Sequence, residues 1–522
     1  MEEQNLNPVE ETTEVAEAAV QPAPKKPGFL QKVDEFFGVT ARGSNFRAEI
    51  VGGLTTFFAM CYILFVNPDQ ISGYGTIGTT VWNSVYVATA ISALIGTLFY
   101  AVWVKMPFAQ APGMGLNSFF YVSFMLFGFG TAATQVESYQ AGLSVILLSG
   151  ILFMIISITG IRKKIAEAMP ASLKKAIPAG IGLFIALIGF KNAFFVQANQ
   201  YTFVQLFNMA IGDKNSGVTW YDITAPLTMF FGLMMIAFLN RTRAKKFAVI
   251  LGIIFGTGLY YLFNIGDPSA YTAFTDGVLN PAKTFVDFGT TGLGGGFIGF
   301  KFWTPQVALH GIMLVITFCL VDMFDTLGTL QGTAAEAGML DENGNPQKLD
   351  QCLMADSAAT LVGGVLGVST VTTFVESATG VSAGARTGLS SLVVAFMFFI
   401  ALFLSPLAAI IPSAAVAPAL VYVGVLMLKN IKDVDFTDMV SAVPAFLTVI
   451  MMPLAYSISN GIAVGLISYS ILKLATVFIS GKEGIVSYFK VGKGNWGDFF
   501  SKDIIVLIIA ILFTLRFFLV SM

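Results

Sequence analysis

Residues 367–388 read "GVSTVTTFVESATGVSAGARTG". From Val368 to Thr373 every residue but Ser369 is β-branched, a composition that favours extended chain, and the residues after Glu376 suit a short helix. A second stretch at 106–120, "MPFAQAPGMGLNSFF", has the same character: Pro107, Pro112, Gly113 and Gly115 precede another short helix. Each predicts an extended piece followed by a half-helix. Both sit among long apolar runs, and irregular backbone at membrane depth is tolerated only where protein or a cavity surrounds it. The half-helix N-termini would bring free N–H groups and positive dipole ends to that cavity.

The surrounding chain is membrane-like. It has 522 residues, 55% hydrophobic and 11% charged, with a mean hydropathy of +0.76. Soluble domains carry about a quarter charged residues. Net charge of −2 argues against nucleic-acid binding, because no long basic tract exists. Cys61, Cys319 and Cys352 have no metal or disulfide spacing, and the single histidine, His310, is too few for a zinc site. The "GMG" and "GLGGG" clusters lack the fingerprint of a phosphate loop and no Walker lysine is present.

Apolar segments are expected near 47–68, 81–104, 112–129, 139–161, 175–192, 222–240 and 246–265, then near 305–332, 351–368, 373–383, 386–411, 414–428, 439–456 and 459–479. That is seven plus seven. With a cytoplasmic N-terminus, the inner loops hold Lys105, the basic clusters of 162–175 and 241–246, Lys348, Arg386, Lys429 and Lys432; the outer loops hold only scattered lysines such as Lys191, Lys214 and Lys283. The asymmetry follows the positive-inside rule. Two odd-numbered sets have opposite orientation, and inverted repeats of that kind are a transporter plan with the site near the midplane. The expected organisation is a disordered cytoplasmic tail at 1–44 with an interfacial amphipathic helix in "FLQKVDEFFGVTARGSNFR", a first repeat at 45–268, an extracytoplasmic loop at 269–304, a second inverted repeat at 305–480, and a tail at 481–522. The apolar stretch at 504–520 is either a fifteenth span or an interfacial helix.

The chemistry centres on "CLVDMFDTLGTL", Cys319–Leu330. At about 100° per residue, Asp322, Asp325, Thr326 and Thr329 share about a third of the helix circumference. An Asp at the bilayer centre costs roughly 2.5–3.5 kcal/mol on insertion scales, so such groups are functional by default; the plainer alternative is a tie to a neighbouring helix. Glu376 stands where the later stretch turns helical, as a ligand contact or an N-terminal cap. Asn117 holds the mirrored place in the earlier stretch, with the same two readings. Thr55 and Thr56 can bond back to their own helix, Asp356 ties the ninth segment to a neighbour, and Phe374 either stacks on a flat ligand or packs.

"APGMGLNSFF", "VDMFDTLGTL", "LMADSAAT" and the 367–388 stretch resemble the nucleobase:cation symporter family, specifically its AzgA-like adenine–guanine–hypoxanthine permease branch, over about residues 45–480. The resemblance implies an all-α polytopic membrane protein of fourteen transmembrane segments in two inverted seven-segment repeats. Short strands would lie in segments 3 and 10, with a core of segments 1–4 and 8–11 and a gate of segments 5–7 and 12–14. It also implies that Asp325 and Glu376 hold the base, that Phe374 lies beside it, that Asn117 contributes from segment 3, and that Asp322 acts with Asp325 in proton coupling. Thr329 stands where uracil transporters carry a histidine, which counts against a uracil substrate.

The expected function is a proton-coupled importer of purine nucleobases in the plasma membrane. Carboxylate acceptors match the N–H edge of a neutral purine and reject analogues lacking it, and desolvation lets a carboxylate exchange protons near neutral pH. Expected partners are the purine, the coupling proton and the bilayer, with a homodimer possible; no cofactor, metal or nucleic acid is implied. A carrier of another small planar or anionic solute on the same fold is the alternative, although an anion needs a positive site. An intramembrane aspartyl protease would need its two aspartates on facing helices, whereas Asp322 and Asp325 lie on one.

Overall fold

The computed structural model describes residues 28–519 except 74–75, 127, 161–163, 166–167, 200, 212–216, 272–280, 337, 342–345, 406–409 and 480–501. Residues 1–27 of the expected tail, and 481–501 and 520–522 of the expected C-terminal tail, lie outside the described residues.

The amphipathic helix at the N-terminal border is α1 (Phe29–Phe37), which ends at Gly38 in the left-handed conformation, φ +68°. Phe37 and Val39 pack there against Leu389. The first apolar segment is broken into α2 (Phe46–Met60) and α3 (Ile63–Ser72), with Tyr62 at the junction and Pro68 inside α3. α4 (Thr80–Leu98) runs into a wider π-helical turn. The predicted extended piece is β1 (Gln110–Pro112), followed by α5 (Met114–Phe120). A Thr134–Glu137 capping box starts α6 (Gln135–Ile158), and α7 (Ala171–Asn192) leads into a hairpin of β2 (Val196–Asn199) and β3 (Phe203–Leu206). α8 (Trp220–Leu239) and α9 (Ala248–Phe263) follow. The stretch expected as a loop at 269–304 contains two short helices, α10 (Pro281–Asp287) and α11 (Gly295–Gly299).

The second set begins with the long α12 (Pro305–Glu336) and α13 (Leu349–Leu366). β4 (Val371–Thr373), α14 (Ser377–Ser382) and α15 (Gly388–Ala401) come next. α16 (Ser413–Leu428), α17 (Met439–Leu454) and α18 (Ile458–Ile479) complete it. α19 (Lys502–Leu519) packs on α18, burying Val506, Ile509 and Phe513. Among the described residues seven helical segments are long and apolar enough to cross a bilayer unaided: 46–72, 80–104, 135–158, 171–192, 220–239, 305–331 and 458–479. Six shorter apolar helices accompany them. The protein is mostly helical and multi-pass.

β1 and β4 meet in the middle of the bundle as an antiparallel pair, Gln110 opposite Thr373 and Pro112 opposite Val371. Gly113 N–H donates to Thr370 O (2.9 Å) and Phe374 N–H to Ala109 O (3.0 Å), extending the ladder at both ends. The outer edges face helices, not water, so their backbone groups need other partners. Threonines supply them. Thr97 of α4 accepts from Gln110 N–H (3.0 Å) and donates to Gln110 O (3.2 Å). Thr360 of α13 accepts from Val371 N–H (3.1 Å) and donates to Val371 O (3.0 Å).

Away from this centre α7 crosses α16 backbone to backbone. A Cβ at Gly182 would come 2.8 Å from Gly424 O, and one at Gly424 would come 2.5 Å from Gly182 O. Small residues are what allow helices in lipid to approach that closely. Both helices carry a proline in an early turn, Pro178 and Pro418.

Candidate functional site

The strand pair opens on a cavity of about 30 Å³. One wall is polar: Gly113 and Gly115 beside β1, Asp325 and Thr329 of α12, and the chain from Thr372 to Glu376. The opposite wall is apolar, formed by Ile181 and Ile185 of α7 and Val423 and Met427 of α16. The volume is far below the roughly 300–1,000 Å³ of ligand sites.

The polar wall is built by its neighbours. Tyr62, at the break between α2 and α3, donates to Glu376 Oε1 at 2.6 Å. Glu376 caps the N-terminus of α14 by position, with no side-chain bond to the helix, so its carboxylate is turned to Tyr62 and the cavity. Thr326 and Thr372 share a hydrogen bond of 2.9 Å that ties α12 to β4. Thr329 donates to Asp325 O (3.0 Å), back along its own helix. A Cβ at Gly113 would press on Thr372 Cγ2 at 3.2 Å and reach ordinary contact with Asp325 Oδ2 at 3.4 Å.

Of the residues expected to form the site, the structure brings Asp325, Thr329, Phe374 and Glu376 to one wall. Asp322, three residues before Asp325, faces α13 instead, where its Oδ2 lies 3.0 Å from the Thr360 hydroxyl and shares that group's single proton with Val371 O. Asn117 stands one layer back. Its Nδ2 donates to Gln70 (3.1 Å) and its Oδ1 accepts from Ser369. Thr55 bonds back to Val51 O at 2.7 Å, and Asp356 accepts from Gln110 and from Thr373 (3.3 Å), tying α13 to both strands.

Sequence reasoning missed Tyr62 and the buried run "NPDQ" at 67–70. Asn67 donates to Thr89 (2.6 Å) and Gln70 braces Asn117. Asp69 accepts from Trp82 (2.8 Å) and Ser413 (2.7 Å), linking α3 to the start of α16. The available signal was an aspartate following an apolar run, which a strict hydropathy boundary discards as loop. Glu49 was also missed: it accepts from the N–H groups of Arg386 (2.9 Å) and Thr387 (3.3 Å) at the start of α15.

Crossed strands with half-helices inside a bundle of spanning helices make the fold of a membrane transporter. The transmembrane domain of the cyanobacterial bicarbonate transporter BicA superposes with a TM-score of 0.53 over 80% of this chain and 97% of that one, at 15% identity. At that identity the likeness concerns fold alone. The sequence profile of the Permease family matches residues 47–464. The guanine/hypoxanthine permease PbuG of Bacillus subtilis is 37% identical over 442 residues, 84% of this chain and 92% of its own. The adenine permease AdeP of Escherichia coli is 35% identical over 450 residues, 86% of this chain and 91% of its own. The chain belongs to this permease family, the nucleobase–ascorbate transporters. It is therefore a membrane permease and not an enzyme.

Proposed function

We propose that the protein is a proton-coupled secondary transporter that imports purine nucleobases by alternating access. The observation that carries the reading is the cavity wall on which Asp325, Glu376 and the ring of Phe374 meet. Two carboxylates accept N–H groups from a purine edge while the phenyl ring stacks on its face. Thr329 borders the base from α12, and Asn117 acts behind it by bracing Gln70 and Ser369. The lining holds two carboxylates and no basic side chain, which favours a neutral base over an anion. Relatives described as adenine and guanine/hypoxanthine permeases support the same substrate class.

In this reading Asp325 takes up the coupled proton, with Asp322 supporting it from the same helix, and protonation lowers the cost of moving the site across the bilayer. The chain is two inverted seven-segment repeats, 45–268 and 305–480. The matching threonine clasps of Thr97 and Thr360, and the matching prolines of α7 and α16, support that symmetry. The polar wall belongs to a core and the apolar wall to a gate, and their separation admits the base to a cavity otherwise too small for it. The N-terminus is read as cytoplasmic because basic residues gather beside it, as the positive-inside rule expects; there Arg42 donates to Lys105 O (2.8 Å) and Lys105 to Phe36 O (2.9 Å).

The test is uptake of labelled hypoxanthine, guanine and adenine into proteoliposomes under an imposed proton gradient with sodium equal on both sides. Uphill accumulation that a protonophore abolishes is expected. Accumulation indifferent to the protonophore would refute proton coupling, and no uptake of any base would refute the substrate class.

A further inference from the structure

A second cavity, of about 800 Å³, opens where α7 ends, between the β2–β3 hairpin and the junction of α17 with α18. We infer that it is a binding site for an oxo-substituted heteroaromatic base, the incoming substrate, held outside the closed inner site; this rests on the transport reading above. Its volume falls in the range of ligand sites, roughly 300–1,000 Å³, whereas the inner cavity is about 30 Å³.

The aromatic lining is unusual in its backbone. Among the described residues five non-glycine residues have positive φ, and three of them are aromatics lining this cavity: Phe194 (+53°), Phe203 (+63°) and Tyr456 (+47°). Bulky side chains are rare in that region, and strain of this kind gathers at ligand clamps and switches. Phe194 and Phe203 are 60% and 86% exposed as residues, which leaves them accessible to a planar partner. Stacking between such rings is indifferent to which base is present.

Polar groups stand beside the rings. Lys191 Nζ lies 4.7 Å from the centroid of the Tyr456 ring and 3.4 Å from its hydroxyl, where it can also donate to an exocyclic carbonyl. Asn192 lines the cavity as well, although its Oδ1 is buried away from the open space. Gln197, on β2, offers both a donor and an acceptor. One ring contact links the cavity to the inner site's wall. Phe184, next to Ile185 of the inner cavity, packs edge-on against Tyr456 at 5.4 Å between ring centroids. Lys191 is only about 9 Å further along α7. Tyr456 thus both lines the outer site and closes it off from α7's inner face.

The three native cysteines are buried, so a single introduced cysteine reports on the cavity. Gln197→Cys, with Val204→Cys as a second position on the opposite strand, is made in the full chain and in the full chain carrying Glu376→Gln. The rate of modification by a membrane-impermeant methanethiosulfonate is measured in proteoliposomes with and without hypoxanthine. Hypoxanthine at about ten times its apparent Kd should slow modification about tenfold, in the Glu376→Gln chain as well, where the inner site is impaired. A rate that hypoxanthine leaves unchanged at both positions in that chain overturns the proposal, as a lipid chain occupying the cavity would produce. Hypoxanthine uptake by the unmodified chain, measured in parallel, keeps the two claims apart. Uptake without protection removes the outer site alone; protection without uptake upholds the outer site and removes the transport reading.

Discussion

The two strand-to-helix crossings, β1–α5 and β4–α14, share a geometry and differ in chemistry. Each strand pairs with the other, and each outer edge is clasped by one threonine of a neighbouring helix, Thr97 or Thr360. On the first crossing the polar side chains are neutral amides already engaged: Gln110 with Asp356, Asn117 with Gln70 and Ser369. On the second crossing Phe374 and Glu376 face the cavity, and Glu376 is held there by Tyr62. The contrast separates what the fold needs from what a ligand needs. Both crossings must satisfy buried backbone groups, but only one presents an ionisable group and an aromatic residue to the cavity.

The substitutions that sharpen this contrast run from large effects to small. Glu376→Gln puts donors where the purine also has donors, and should weaken base binding by about 100-fold, read by equilibrium binding on the purified protein. Wild-type affinity in that variant would erase the chemical difference between the crossings. Phe374→Ala should weaken binding by about 1–3 kcal/mol, the range for base–aromatic stacking, with Phe374→Tyr nearly silent. Equal affinity of the alanine variant, in a folded protein, would return Phe374 to packing. Asn117→Ala should act differently. It strands Gln70 and Ser369 and should lower stability by about 1–3 kcal/mol, seen as a reduced Tm, while the Kd of the folded fraction changes little. A large Kd change at unaltered Tm would put Asn117 in the site.

The smallest effect lies outside both crossings, at the end of α1. Asp34 accepts from the N–H (2.8 Å) and the hydroxyl (2.7 Å) of Thr40, which hold its carboxyl below the ordinary aspartate value of 3.8. A carboxylate with a lowered folded pKa stabilises above its unfolded pKa and loses that contribution as pH falls through the folded one. Asp34→Asn should therefore lower Tm slightly at pH 7, leave transport unchanged, and converge with the unsubstituted protein in acid. A Tm difference that persists below the lowered pKa would show that the turn is not held through the charge.

Much of the contrast was legible in the residues. The β-branched run before Glu376 and the proline–glycine run before Asn117 marked both crossings within a few residues, because extended chain between apolar runs survives at membrane depth only when protein or a cavity surrounds it. The spacing of Asp322 and Asp325 marked α12 as polar-faced. It did not reveal that the two point to different neighbours, since about 60° of helix rotation separates them and only packing decides which side meets a cavity. Tyr62 and Asp69 were not legible for a related reason. A hydropathy boundary ends the first segment where α3 continues to Ser72, and a tyrosine among apolar residues has no pattern of its own. The β2–β3 hairpin went unread because its strands are short and lie in a connection between apolar helices.

The central claim is that the charged side of the cavity both binds the base and moves a proton, and Asp325→Asn divides those roles. The asparagine keeps the shape and hydrogen-bonding capacity of the protonated carboxyl but cannot ionise. Equilibrium binding, counterflow and gradient-driven uptake are measured on the purified, reconstituted variant at two pH values. Binding and counterflow are expected to survive while uphill accumulation is lost. Accumulation preserved at the unsubstituted level would contradict the claim, and so would binding abolished in Asp325→Asn but retained in Glu376→Gln.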